Sequence, residues 1–392
     1  MANLNFPDGF IWGTATAAHQ VEGGNWNSDW WEWETREGTV CAEPSNDACD
    51  QWHRYGQDIA MLAGFGFNAY RFSVEWARVE PEEGLFSRAT LDHYRRVAAT
   101  CHEHGLTPIV TYHHFTSPRW VAADGSWENP RTAERFARYC EKVTAHLGDL
   151  VGVACTINEP NVVAFYGYRH PVFPPGKSDA DSWHRANEVF LDAHARAVEA
   201  IKGGPGAFPV GMTLSMNEWE AVDGGEARLE RMRQPYEDQF LEAARADDFI
   251  GVQAYTRERV GPDGQLPPPE GAETTLMGYE FRPEALAATV RRAWEVTDGT
   301  PVIVTENGTA MADDTRRIAY VEGALEGLHQ CLADGIDLRG YCYWTLLDNF
   351  EWVFGYMPTF GLVAVDRETY ERTPKPSASW LGAVARANAL ET

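Results

Sequence analysis

The chain has 392 residues, 44% of them hydrophobic and 23% charged, which is enough apolar material for a large core and argues against disorder. Its net charge of −25 repels phosphate backbones and anionic headgroups, so neither nucleic acid nor a membrane is expected as a partner; the oligomeric state stays open. No window approaches the ~18 apolar residues of a membrane helix, and seven scattered cysteines without a C-x-x-C pair fit a reducing compartment.

The opening stretch, MANLNFPDGFIWGTATAAHQ, lacks the basic and apolar regions of a leader, and a cytoplasmic location is expected. Eight strand-like runs then follow in order. They are FIWGTATA (10–17), AYRFSVEW (69–76), TPIVTYHHF (107–115), GVACTINE (152–159), PVGMTLSMN (209–217), DFIGVQAYT (248–256), PVIVTEN (301–307) and LRGYCYWTL (338–346). Each is apolar almost throughout rather than alternating, as parallel strands buried on both faces should be. Segments such as 89–105 and 131–148 carry apolar residues at three and four spacing and end at glycine, a common helix stop. Strand and helix alternating about eight times predict a single-domain (β/α)8 TIM barrel over residues 1–392. A doubly wound two-domain arrangement is the alternative, but no linker supports it, and GPDGQLPPPEG (261–271) reads as an internal loop.

Functional groups of such a barrel gather at the C-terminal ends of its strands. Gln20, Arg71, His114, Asn158, Glu159, Tyr255, Glu306 and Trp344 all fall at or near those ends. A lone glutamate there would cap a helix or pair with an arginine. Two of them, on the fourth and seventh strands, form the pair that glycoside hydrolysis requires, one protonated and one charged. Arg71 and Tyr255 are placed to hold Glu306 ionised, and that charge would keep Glu159 protonated to higher pH.

TINEP (156–160) and VTENG (304–308) resemble the acid/base and nucleophile motifs of glycoside hydrolase family 1, the β-glucosidase-like retaining enzymes. The resemblance extends through FPDGFIWGTATAAHQVEG (6–23), YRFSVEWARVEP (70–81), TYHHFTSPRW (111–120), GYCYWTLLDNFEWVFGY (340–356) and FGLVAVDRETYERTPKPSASW (360–380). It implies Glu306 as nucleophile and Glu159 as acid, then base, acting on a terminal β-glycoside of small-molecule size, with carboxyl groups about 5–5.5 Å apart. It also implies Gln20, His114, Asn158, Glu351 and Trp352 as hydroxyl-binding residues, Trp344 as the stacking ring and Phe360 beside the exocyclic carbon. A β-glucosidase with side activity on galactosides or fucosides is the leading expectation. A predominantly transglycosylating enzyme and a non-catalytic sugar-binding barrel are the alternatives, and a phospho-glycosidase is disfavoured because GYMPTFG (355–361) offers no cation.

Neither a metal nor a cofactor is expected. HEH (102–104) sits at a helix end, the two rings of His113 and His114 should point to opposite faces, and GFGFNA (64–69) runs from helix to strand, the reverse of a dinucleotide site. Two departures from the family pattern stand out. Gln253 and Ala254 replace the usual asparagine and aromatic, which puts the support of Tyr255 in question. The stretches 212–251 and 310–317 are short, which predicts a more open outer site.

Overall fold

The computed structural model describes residues 3–391. Eight parallel strands close a barrel: β1 (Ile11–Ala15), β2 (Ala69–Ser73), β3 (Thr107–His114), β4 (Val153–Asn158), β5 (Val210–Ser215), β6 (Phe249–Gln253), β7 (Val302–Asn307) and β8 (Leu338–Trp344). Each strand bonds to its sequence neighbours, and β8 returns to β1 with Gly340 opposite Ile11. All eight predicted strands are present; β7 ends at Asn307 as predicted, and the other seven stop short of the C-terminal ends of their apolar runs. At β3 and β4 the cause is visible: Phe115 (φ 68) and Glu159 (φ 45) turn left-handed and end the pleat.

The barrel interior is filled by Phe249 and by the small or branched residues Ala69, Ile109, Val153, Cys155, Ile303 and Cys342. Outside it, amphipathic helices such as Arg88–Glu103, Arg131–Leu147 and Ala180–Lys202 press their apolar faces on the strands. The first of these begins at Ser87, whose hydroxyl accepts from the Thr90 amide, and is followed by Gly105 at φ +74. Gly148 does not play the expected part of a left-handed stop. It stays right-handed at φ −58, and glycine is required there because the Pro205 carbonyl oxygen lies 2.1 Å from where a Cβ would be.

Three features lay outside the sequence reading. A three-stranded sheet of Glu218–Ala221, Arg257–Val260 and Gln265–Leu266 stands above β5 and β6; its first two strands lie just beyond the predicted barrel runs and its third in the stretch read as a loop. At the base, Asn3–Asn5 pairs antiparallel with Ala389–Glu391, and the Trp12 indole donates to Asn388 at 2.9 Å. A buried fork joins Arg372 to Asp58 through Nε–Oδ1 at 2.8 Å and Nη2–Oδ2 at 3.0 Å, tying the Val363–Val365/Arg372–Pro374 hairpin to the helix Gln51–Phe65. All seven cysteines are buried free thiols. No helix among the described residues is long and apolar enough to cross a membrane.

Candidate active site

At the C-terminal mouth of the barrel lies a cavity of about 290 Å³ lined by His114, Glu159, Tyr255, Glu306, Trp344, Glu351, Trp352 and Phe360, together with aromatic residues farther out. Both glutamates therefore face one space, and both are nearly enclosed, Glu159 at 7% and Glu306 at 3% exposure. Strict alternation from Cys155 and Ile303, which point into the barrel, would turn Asn158 and Glu306 outward. Register slips between Cys155 and Asn158 on β4, and between Val304 and Glu306 on β7, reverse that parity and bring them inward. Asn307 then faces the helical layer, where its amide donates to the Ala254 carbonyl at 2.7 Å.

Glu159 follows β4 in a left-handed turn, and Pro160 opens the next short helix. Its carboxylate caps nothing and forms no ion pair within the described residues, so the structural roles open to a lone glutamate do not account for it. Glu306 is gripped on both oxygens: Arg71 Nη1 donates to Oε1 at 2.5 Å and the Tyr255 hydroxyl to Oε2 at 2.6 Å. Burial raises the pKa of both carboxyls. For Glu306 this is opposed by Arg71 and Tyr255. For Glu159 it is reinforced by the charge of Glu306 and relieved more weakly by a hydrogen bond from Ser215, so Glu159 is pushed well above the carboxylate range. The two carboxyls thus differ in the sense a proton donor and a nucleophile require.

Asn158 is fixed from behind. Its Oδ1 accepts from Arg71 Nη2, from Thr213 at 3.1 Å and from Gln253 Nε2 at 2.8 Å, which leaves Nδ2 as the free, donating end. That Nδ2 reaches His114 Nε2 at 3.2 Å, so His114 carries its proton on Nδ1, where no protein acceptor meets it. Burial, with Arg71 and His113 adding to it, holds the His114 pKa well below its usual value, and the ring stays neutral. Gln20 is buried behind the wall; its Nε2 donates to the Phe350 carbonyl at 2.7 Å and its Oε1 has no partner. Burial followed by the Glu306 charge raises Glu351 to about 8, against hydrogen bonds from Trp344 and Gln20. Trp352 packs against Trp30 at a tilt and lies flat against His19, with ring centroids 4.5 and 5.6 Å away. Phe360 and Ala310 pack with Trp344.

Of the site residues read from the sequence, eight line the cavity, while Arg71, Asn158 and Gln20 lie behind it, bonded to residues at or beside its wall. The question over Tyr255 is resolved in its favour, since Gln253 bonds to Asn158 and leaves the Tyr255–Glu306 contact intact. Sequence reasoning missed Gln253, Thr213 and Ser215 as supports, and Phe115, Tyr166 and Phe173 as outer walls. Only Gln253 had left a signal, as a departure from pattern. The histidine pair behaves as its spacing predicts: His113 packs outside the barrel on Trp127 at 5.0 Å, and His114 faces Trp344 at 5.8 Å. His102 bonds to the Leu150 carbonyl at 2.8 Å, remote from the cavity.

The sequence model of the family described as "Glycosyl hydrolase family 1" matches residues 2–248 and 263–390. The chain is 35% identical to thermostable beta-glucosidase B of Thermobispora bispora, over 99% of this chain and 92% of that protein. It is 32% identical to beta-glucosidase A of Thermotoga maritima, over 98% and 99% of the two chains. Among solved structures, the crystal structure of beta-glycosidase BGL167 superposes with a TM-score of 0.93 at 52% identity, covering 99% of this chain and 98% of that one.

Proposed function

The chain belongs to glycosyl hydrolase family 1 and is a glycoside hydrolase, and from that premise we propose an exo-acting, retaining β-glucosidase in which Glu306 is the nucleophile and Glu159 the acid/base. The observation that carries this assignment is the unequal treatment of two carboxyls on one cavity: Glu306 paired to Arg71 and Tyr255, Glu159 buried beside it without a cation.

In the first displacement Glu159 gives its proton to the glycosidic oxygen as Glu306 attacks the anomeric carbon from the opposite side. The aglycone leaves as an alcohol, and a glycosyl ester remains on Glu306. Now anionic, Glu159 takes a proton from water, which opens the ester; two inversions retain the configuration. Arg71 and Tyr255 orient the nucleophile and keep it charged. Asn158 Nδ2 donates to the 2-hydroxyl, a contact that strengthens as positive charge develops at the anomeric carbon. The unpartnered Gln20 Oε1 and His114 Nδ1 supply an acceptor and a donor for further hydroxyls, Glu351 and Trp352 complete that set, and Trp344 stacks on the ring with Phe360 beside its exocyclic carbon. Among the described residues no Lys or Arg lines this cavity, in keeping with an unphosphorylated sugar. The chemistry uses neither metal nor cofactor.

The same reading treats the chain as one catalytic domain, supported by the pairing of Asn3–Asn5 with Ala389–Glu391, and as a cytoplasmic protein, supported by its seven free thiols. Glu306→Gly provides the test. Hydrolysis of 4-nitrophenyl β-D-glucoside should fall by about 10⁵-fold, and azide or formate should restore turnover by filling the vacated space, with azide giving a glycosyl azide of inverted configuration. Residual activity near that of the parent protein would remove Glu306 from the nucleophile's role.

A further inference from the structure

Beside the catalytic cavity lies a second chamber of about 380 Å³, and Tyr166, Asn217, Tyr236 and Glu258 belong to the walls of both. Its faces are aromatic. Phe165 stands edge-on to Trp183 and Tyr236, each at 5.5 Å, and Trp219 meets Tyr236 at 6.0 Å. Arg169, Arg228 and Arg231 stand among them.

In a chain with 58 acidic against 33 basic residues, an arginine should readily find a carboxylate. Their neighbours do: Arg233 pairs with Asp238 at 3.4 Å, Arg257 with Glu280 at 2.7 Å and Arg259 with Glu220 at 3.1 Å. Among the described residues the three chamber arginines have no such partner, and Arg228 reaches only the Pro262 carbonyl, at 3.4 Å. Surface arginines are often merely solvated, and Arg169 and Arg231 are exposed. Two further donors do not fit that account, because Arg228 Nε and the Trp183 indole Nε1 are buried and without any acceptor. Such groups cost free energy until an acceptor arrives. Glu258 is the only acid on the wall; Gln265 donates to it at 3.3 Å, and burial raises its pKa, which weakens it as a counter-charge.

We propose that this chamber receives the leaving-group end of the substrate, and that the aglycone it selects is an aromatic one bearing a carboxylate. The proposal rests on the β-glucosidase reading and names the substrate class for it. Flat rings pack on Phe165, Trp183 and Trp219, while guanidinium forks match the planar geometry of a carboxylate.

The test compares 4′-carboxybiphenyl-4-yl β-D-glucoside with its carboxamide, a pair of similar shape and leaving-group acidity. The acid should exceed the amide about tenfold in kcat/KM, mainly through KM. The advantage should shrink in about 0.5 M salt and approach parity in the double variant Arg228→Gln/Arg231→Gln. Quenching of tryptophan fluorescence by free 4′-hydroxybiphenyl-4-carboxylate, set against its amide, reads the chamber without any turnover. Hydrolysis of 4-nitrophenyl β-D-glucoside checks the β-glucosidase reading separately. Parity of acid and amide in the unsubstituted protein, in both rate and binding, overturns the proposal; so does a preference that the double variant keeps.

Discussion

Asn158 shows how a side chain with no charge of its own can be made directional. An amide can present either end to a ligand, and here three donors converge on Oδ1, from Arg71, Thr213 and Gln253, so that only Nδ2 is left to project forward. Removing the Gln253 donor leaves that choice to two partners. Gln253→Ala should lower kcat/KM for a β-glucoside by about 10–100-fold, the cost of one misdirected buried polar contact. The penalty for removing the substrate's 2-hydroxyl should shrink in the same variant. If glucoside and 2-deoxyglucoside keep their original ratio, Gln253 does not act through Asn158. Gly308, in VTENG, has an equally local reason: a Cβ there would sit 2.1 Å from the Trp344 carbonyl oxygen, so only glycine lets β7 pass β8 at the site.

The strands were legible as elements because each is an apolar run bounded by polar segments, and the carboxylates were legible because they interrupt those runs. What could not be read was the parity of the side chains. A period of two carried through β4 or β7 places Asn158 and Glu306 on the wrong face, and only the register slips of the closed barrel correct it. The sheet Glu218–Ala221, Arg257–Val260 and Gln265–Leu266 stayed hidden for a different reason. Its strands are two to four residues long and joined by ion pairs such as Arg259–Glu220, so they carry no hydrophobic pattern to detect. The Arg372–Asp58 fork, spanning 314 positions in sequence, was likewise beyond any local reading. With both side chains almost wholly enclosed, Arg372→Met should strand a buried carboxylate and cost about 3–5 kcal/mol, measurable as a lower denaturant midpoint at unchanged slope. A change under about 1 kcal/mol, the range of an exposed pair, would show that Asp58 finds another partner or reaches water.

Across the whole molecule, buried titratable groups set an expected profile of stability with pH. Burial is the leading cause in each case: it raises Glu22 to about 7 and Asp29 and Glu351 to about 8, and it lowers His93 to about 4 and His113 to about 3, with His114 also well below its ordinary value. The raised carboxyls hold protons that the unfolded chain has released, so their contribution is complete below about pH 4.5 and is lost as pH rises to 8. The depressed histidines act oppositely, and theirs is complete above about pH 6.5 and lost toward pH 3. The two trends oppose each other between about pH 4.5 and 6.5. Above about pH 6.5 only the carboxyl trend remains, so the melting temperature at pH 6 should exceed that at pH 8.5. A melting temperature that holds or rises over that interval would contradict the carboxyl assignment. The seam between Asn3–Asn5 and Ala389–Glu391 has a practical corollary, since it lies at the N-terminal ends of the barrel strands, with the cavity at the other pole. Anchoring the protein to a solid support through this seam would turn its opening toward the bulk liquid.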